Sequence, residues 1–480
     1  MCPKEILINV EPQEKRVAIV SDGKLEEFYI ERPQDKTIVG NIYKGIIEAL
    51  LPSIGAAFVD IGLPKKGFLY LSEVESAYEA LEKPKNDKTK EIKKGEEVLV
   101  QVVKESFGTK GPRLSSDIGI AGRYLVLMPL DNQIGVSRRI EDEAERKRLR
   151  TMLTELKIPN AGFIVRTAAC GRTKQELSRD AQFLYKLWKR LQKSIGQKKA
   201  PALIYEEYDL VLRVIRDSFT DDVSKLIIDS KAEFYRIQHF MKTFLSYLKD
   251  KVELYKGDNL FEAKDIEKQI HKIFESKVYL KSKAYLVIEP TEGLVVIDVN
   301  SGGFRKKFSQ EETAFKVNCE AAVEIARQLV LRDLGGIIVI DFIDMEKESH
   351  RREVLNILKR ELSKDKAKYD ILGISKFGVV EMTRERIHKT VHMLSYQQCP
   401  YCQGRGKVRS PATIAIYALK ELRRFLKGKS LKQVNLTLAP AAIEELLKDK
   451  ENLKFIEYRF RTRINLISSP ALHIEDIKIS

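Results

Sequence analysis

The chain has 480 residues, 43% of them apolar and 32% charged, which excludes a disordered chain and is too long for a single core. Lys and Arg total 85 against 69 Asp and Glu, and the resulting +16 points to a polyanionic partner, nucleic acid first, although abundant Lys and Glu also suit a heat-adapted proteome. No apolar run approaches the roughly 18 residues of a membrane span, and "MCPKEILINVEPQEKRVAIV" lacks the features of a signal peptide, so a cytosolic protein is expected.

Residues 5–31 alternate and turn at "SDGK", which predicts a hairpin. From about 37 to 118 short strands are punctuated by glycines, as in "GNIYKGIIEALLPSIGAAFVDIGLPKKGFLYL" and "GEEVLVQVVKESFGTKGPRLS", and a small closed barrel is expected. The lysine-rich stretch 83–94 reads as a solvated loop. Residues 119–210 mix the strands "YLVLMPL" and "GFIVRTA" with helices at about 141–157 and 173–195. The second helix carries Leu177, Phe183, Leu184, Leu187 and Leu191 at helical spacing, so one face is core. Residues 211–280 read as strands and then helices. After 284 the order is two strands, a helix at about 310–332, a strand, a helix at about 349–367 and the strand "GISKFGVVEMT", an α/β layered domain. "CPYCQGRG" is a turn-rich knot, and 411–480 read as helix, strand, helix, strand, a small α+β unit.

Two apolar strands end on acids. "GLVVIDVNSGG" reaches Asp298 and "GGIIVIDFIDM" reaches Asp341. Strand ends are where open α/β sheets build sites, and two converging carboxylates repel unless a cation lies between them. Oxygen donors select hard ions such as Mg²⁺, which polarises a phosphodiester and activates water. Asn300 falls on the same side of the strand as Asp298 and can hold it. Asp344 would fall on the opposite face from Asp341 if the strand continued, so Asp341 is the expected ligand. Strand-end acids also cap loops and helices, and spacing alone leaves both accounts open.

In the expected barrel, Tyr43, Lys44, Phe58, Phe68, Lys104 and Lys110 interleave rings with ammonium groups. Barrels of the OB type bind single strands in this way, so RNA or single-stranded DNA is the expected partner, against a plain core role for Phe58. Arg138 and Arg139 in "GVSRRI", and Arg166, Thr167 and Arg172 in "VRTAACGRTK", are phosphate candidates or a solvated patch. The cysteines are Cys2, Cys170, Cys319, Cys399 and Cys402, an odd, sparse set that is no disulfide framework. Cys399 and Cys402 have the spacing of a zinc knuckle, with Gly404 and Gly406 freeing the turn. Structural Zn²⁺ takes four ligands, so a second chain would complete the site, or His388 and His392 would complete it within one chain. A redox pair is a further possibility, but no thioredoxin-like pattern surrounds it.

Together these motifs resemble the ribonuclease E/G family of bacterial endoribonucleases over essentially the whole chain. The resemblance is carried by "NIYKG", "AAFVDIG", "GFLYL", "AGRYLVLMP", "SRRI", "IVRTA", "IDVNSG", "EETAF", "EAAVEIARQLVLRDLGGIIVIDFIDM" and "CPYCQGRG". It implies that Asp298 and Asp341 hold a catalytic Mg²⁺, supported by Asn300, in a domain at 279–398 similar to DNase I. It implies an OB-fold RNA-binding domain at 37–118 with Phe58, Phe68, Lys104 and Lys110 as contacts. It implies a sensor of the RNA 5′-monophosphate at 119–210, with Gly122, Val126, Arg138, Arg166 and Thr167. Segments 1–36 and 211–278 would form an RNase H-like structural domain, 399–410 a zinc link and 411–480 a small C-terminal domain. One Zn²⁺ shared through Cys399 and Cys402 of two chains would make a homodimer, or a tetramer of two such dimers.

Two departures stand out. Lys368 occupies a position where the family's best-known member has Arg, which keeps the charge and loses the fork. The longer members carry a disordered tail that recruits partners and touches the membrane, and the chain ends at 480 without one, so a short or tail-less form is expected. The expected activity is endonucleolytic cleavage of single-stranded RNA, leaving a 5′-phosphate product, in ribosomal RNA maturation or messenger turnover. The rival readings are a non-catalytic RNA-binding or ribosome-assembly factor and a DNA-directed nuclease.

Overall fold

Ile6, Leu7 and Ile8 are apolar in succession, and the sheet they enter is buried on both faces. In this computed structural model the described residues are 3–72, 93–106, 110–156, 158, 161–291, 293–303, 309–375, 378–386 and 395–480. They divide into two compact units, Met1–Leu394 and Ser395–Ser480. The first sheet has five strands and joins chain segments far apart in sequence: Val252–Leu254, Val223–Ile228, Lys4–Glu11, Glu14–Ser21 and Lys24–Glu31, in that order. The "SDGK" turn closes one of its hairpins, and a second hairpin precedes it. The run from Val211, expected as strand, lies instead in the helix Leu210–Ser218. Asp209 accepts from the Leu212 N–H as its N-cap, and burial of Leu210, Val211, Leu212, Val214 and Ile215 outweighs the strand preference of the β-branched residues.

The glycine-punctuated segment closes into a barrel. Ile42–Leu51 pairs with Ala56–Asp60, that strand with Gly67–Tyr70, then Arg113–Ser115 and Glu97–Lys104, which returns to the first. Ala202–Tyr205 adds to the outside of the first strand. Gly111 is required where the chain crosses Lys66, because a Cβ there would lie 1.8 Å from the Lys66 carbonyl oxygen. Two of the interleaved rings and lysines prove to be interior. Tyr43 joins the barrel core, and the Lys44 ammonium is drawn in to the Lys198 carbonyl at 2.9 Å and to Glu97 at 3.1 Å. Most of the lysine-rich stretch, 83–92, lies outside the described residues.

A four-stranded sheet follows, in the order Ile134–Val136, Gly162–Val165, Leu125–Met128, Ile120–Ala121. It packs on the helices Glu143–Glu155 and Lys174–Gln197, the latter opened by a capping box between Thr173 and Glu176. Leu177, Leu184 and Leu191 are buried as the spacing predicts, while Phe183 and Leu187 pack at the margin of that core.

The paired acids stand on a six-stranded sheet ordered Lys277–Tyr279, Tyr285–Pro290, Leu294–Asn300, Gly336–Asp341, Val379–Arg384, Tyr369–Ile374. The stretch expected as one strand, "GISKFGVVEMT", is two paired strands. The helices Gln310–Leu331 and Glu348–Leu362 cover one face, burying Ile297, Ile338, Ile340, Val380 and Met382 beneath them. The other face carries the alternate residues and no helix of that pair. In the second unit, helices Pro411–Leu426, Pro440–Lys448 and Lys450–Phe460 pack on a three-stranded sheet of Arg463–Ser468, Gln433–Leu438 and Lys478–Ile479. That is one helix and one strand more than the periodicity predicts. Among the described residues no helix is long and apolar enough to cross a membrane.

Candidate active site

Alternation decides where the acids point. Ile297 and Val299 face the helices, so Asp298 and Asn300 face the uncovered side, and Ile340 likewise leaves Asp341 there. Leu294–Asn300 and Gly336–Asp341 run parallel and in register, with Asp298 directly beside Asp341. The Asn300 side-chain amide donates to Asp298 Oδ2 at 2.7 Å. The strand stops at Asp341, so the condition that would place Asp344 on the opposite face is not met, and its charge bears on Asp341. Partial burial, then the charges of Asp298 and Asp344, push the Asp341 carboxyl above its ordinary range. The pair itself is two carboxylates side by side, an oxygen-only donor set. Among the described residues no group of three or more His, Cys, Asp or Glu could hold a metal ion.

The loop that follows Asp341 is tethered. Asn318, fully buried in the helix Gln310–Leu331, donates to the Ile343 carbonyl at 2.8 Å and accepts from the Ile343 N–H at 3.1 Å. Glu311, at the start of the same helix, accepts from the N–H groups of Glu346 and Lys347 and meets His350 Nδ1 at 2.7 Å. Sequence reasoning missed Asn318, although an Asn on the apolar face of "AFKVNCEAAVEIA", beside Ala314, Val317 and Ala321, was a legible signal of a buried polar contact.

On the barrel, Phe58 and Phe68 are cross-strand neighbours with ring centroids 6.1 Å apart, and Tyr70 meets Phe68 at 5.1 Å. Phe58 is half-buried and outside the barrel core. Phe58, Lys65, Lys66, Lys94 and Gly111 line an open hollow of about 540 Å³. Lys66 bridges Glu48 and Asp60, and Arg113 lies over the Tyr70 ring at 5.0 Å. Lys110 is exposed, and Lys104 reaches Glu385, just beyond the strand Val379–Arg384, at 3.9 Å.

The four-stranded sheet brings the remaining candidates to one edge. Val136 and Val165 are parallel neighbours, so Arg138, Arg166 and Thr167 follow adjacent strand ends. The Arg166 guanidinium donates to the Gly122 carbonyl at 2.6 Å and to Asp217 at 2.7 Å. Asp217 also binds Arg216, and although burial alone would raise its pKa, the two guanidinium groups hold it down to about 2. Beneath Gly122 lies the buried Asp180 carboxylate, which accepts from the N–H groups of Arg123, Tyr124 and Leu125. A Cβ on Gly122 would stand 2.6 Å from an Asp180 oxygen, which accounts for glycine there. Val126 is half-buried beside Ile164, and Arg138 and Thr167 are exposed. Arg139 binds the Lys366 carbonyl, which draws the turn bearing the exposed Lys368 to this edge. Arg172 is engaged by Asp221 and by the rings of Tyr124 and Tyr247. Neither Asp180 nor Asp217 was read as part of this region from the sequence.

In the second unit Cys402 Sγ accepts from the Gly406 N–H at 3.3 Å, with Gln403, Gly404 and Gly406 at positive φ. N–H groups of Cys402 and Tyr401, and then the Cys402 side chain, lower the Cys399 pKa. The thiols precede the helix Pro411–Leu426 and do not sit at its N-terminus. Cys2, His388 and His392 lie outside the described residues.

Three family models match. Residues 119–387 match the Ribonuclease E/G family, 36–116 the S1 RNA binding domain, and 398–480 the RNase E/G thioredoxin-like domain. The last corrects the expectation that nothing thioredoxin-like surrounds the Cys pair; the likeness covers the small domain. Similar proteins include Ribonuclease G of Haemophilus influenzae, 40% identical over 455 residues and covering 93% of each chain. Ribonuclease G of Escherichia coli strain K12 is 40% identical over 460 residues, 94% of each chain. Ribonuclease E of the same strain is 38% identical over 459 residues, which are 94% of this chain and 43% of that longer protein. With a family model over more than half its length and 40% identity to relatives of matching extent, the chain belongs to the ribonuclease E/G family.

Proposed function

We propose that this chain is a Mg²⁺-dependent endoribonuclease that cuts single-stranded RNA at the Asp298–Asp341 pair, favours a 5′-monophosphate end, and serves ribosomal RNA processing and messenger decay. Family membership makes it a ribonuclease; the register of the two acids carries the reading beyond that. Two carboxylates abreast, with Asp344 adding charge, repel one another, and a hard cation relieves that repulsion. Mg²⁺ bound there would supply charge stabilisation at the phosphodiester and a water of lowered pKa. Asp298 and Asp341 would be its protein ligands. Asn300 orients Asp298, and Asn318 and Glu311 hold the loop beyond Asp341. Water adds to phosphorus and the 3′-oxygen leaves, so the downstream product keeps a 5′-phosphate.

The barrel would bind the strand through Phe58, Phe68, Lys104 and Lys110, stacking bases and tracking phosphates. The edge formed by Gly122, Val126, Arg138, Arg166 and Thr167, with Lys368 nearby, would receive the terminal monophosphate. Arg166 is held on Gly122 and Asp217 and is thereby aimed before the RNA arrives. The domain roles follow: an RNase H-like support for segments 1–36 and 211–278, a 5′ sensor at 119–210, and a DNase I-like catalytic domain at 279–398. The Cys399–Cys402 knuckle gives two thiols, and N–H donors favour the thiolate that Zn²⁺ needs, so two chains sharing one ion satisfy its four ligands. The test is cleavage of one single-stranded RNA carrying either a 5′-monophosphate or a 5′-hydroxyl, with Mg²⁺ and with chelator. The proposal expects Mg²⁺-dependent cutting that is faster on the monophosphate; equal rates on both ends remove the sensor, and cutting in chelator removes the metal.

A further inference from the structure

The uncovered face of the catalytic sheet continues past the acids to its edge strand, and register defines two rows across it. One row runs Lys277, Val287, Asp298, Asp341, and the other runs Tyr279, Tyr285, Asn300. Tyr285 is therefore the cross-strand neighbour of the amide that holds Asp298. With strands about 4.8 Å apart, Tyr279 stands roughly 10 Å from Asn300 across the sheet. The Lys277 ammonium lies 3.6 Å from the Tyr285 ring centroid and 5.2 Å from that of Tyr279, and the two rings are 6.1 Å apart. Tyr279 is 67% exposed, so its ring is open to solvent beside the Lys277 ammonium.

We propose that Tyr279, Tyr285 and Lys277 form a nucleotide-binding subsite next to the acid pair, in which Tyr279 stacks a base of the RNA neighbouring the scissile phosphate and Lys277 meets its phosphate. The reading rests on RNA lying across Asp298 and Asp341. Tyr285 is the support: its ring face holds the lysine, and its ring flanks that of Tyr279, its neighbour on the edge strand. Ring stacking tolerates any base, so the subsite positions the strand and does not choose its sequence. A cation beside the ring contributes the attraction to the backbone that stacking lacks. The occupant is a single strand, because a paired base keeps its faces within its own stack.

The test uses the full chain and a short 5′-monophosphorylated single-stranded RNA with a fluorescent adenine analogue beside the cleavage position. In the Asp298→Asn background, which leaves the RNA uncut, binding should quench the fluorophore; adding Tyr279→Ala should remove the quench and Tyr279→Trp should keep it. In the active chain, Tyr279→Ala should raise KM about tenfold, within the range expected for one lost stack, with circular dichroism unchanged. Lys277→Met should lower the salt dependence of log Kd by about 0.7, the value of one single-strand phosphate contact. If the wild type cuts the RNA but Tyr279→Ala leaves both quench and KM unchanged, the subsite is wrong and the cleavage reading stands. If the wild type does not cut it, the subsite falls together with that reading.

Discussion

Asn318 holds both backbone groups of Ile343, donating to its carbonyl and accepting from its N–H, two residues beyond Asp341. The contact joins a helix of the core to the loop that follows the acid. Asn318→Leu leaves both backbone groups without this partner and should cost about 2–3 kcal/mol in urea denaturation. Because Asp341 loses its tether, single-turnover cleavage should slow by roughly tenfold to a hundredfold. A variant that loses stability and cleaves at the wild-type rate would show that the clamp serves folding alone.

Arg166 uses its fork on Gly122 and Asp217, and a lysine keeps the charge without that fork. Arg166→Lys should therefore erase most of the preference for a 5′-monophosphate over a 5′-hydroxyl and leave basal cutting at internal sites. The ratio of kcat/KM on the two RNAs measures it. An unchanged ratio would mean that charge at this position suffices.

Asp217 gives a pH prediction. Its pKa is held down to about 2 in the folded chain, where burial opposes and Arg216 and Arg166 prevail. A depressed carboxyl contributes stability that is present above its unfolded pKa, near 3.8, and is lost as pH falls toward 2. Asp217→Asn should thus be less stable than wild type by roughly 2 kcal/mol at about pH 6, and the gap should close on acidification to about pH 2. Denaturant midpoints across that window decide it.

Cys399→Ala should yield monomers with little bound zinc, and the wild type should carry about half a zinc per chain, as expected of one four-ligand ion shared by two knuckles. Zinc analysis with mass-resolved chromatography reads both quantities. One zinc per chain, or a dimer that survives the substitution, rejects the shared site.

The acids were legible because an apolar strand that ends on a carboxylate is a pattern of period two, and burial of Ile297 and Ile340 obliges their neighbours to face outward. The barrel was legible because its short strands are punctuated by glycines, of which Gly111 lies against the Lys66 backbone and Gly67 against the Leu114 side chain. The helix Leu210–Ser218 was misread because Val211, Val214 and Ile215 suit either element and burial on several sides removes the periodicity that separates them. Tyr43 and Lys44 were misplaced because their side chains alternate between the barrel core and a polar contact that no local pattern reveals. Asp217 supports Arg166 from 51 positions away in sequence, and Asp180 meets the N–H of Arg123 from 57 away. Partners so distant are brought together only by the fold.

The acid pair is the centre of the account, and replacement of Asp341 by Asn tests it most directly. The substitution keeps the shape of the side chain and removes one of two anionic donors from the Asp298–Asp341 pair. Purified Asp341→Asn, assayed on 5′-monophosphorylated single-stranded RNA in saturating Mg²⁺, should cleave about a thousandfold more slowly or not at all, with RNA affinity and circular dichroism intact. Cleavage at the wild-type rate would contradict the account.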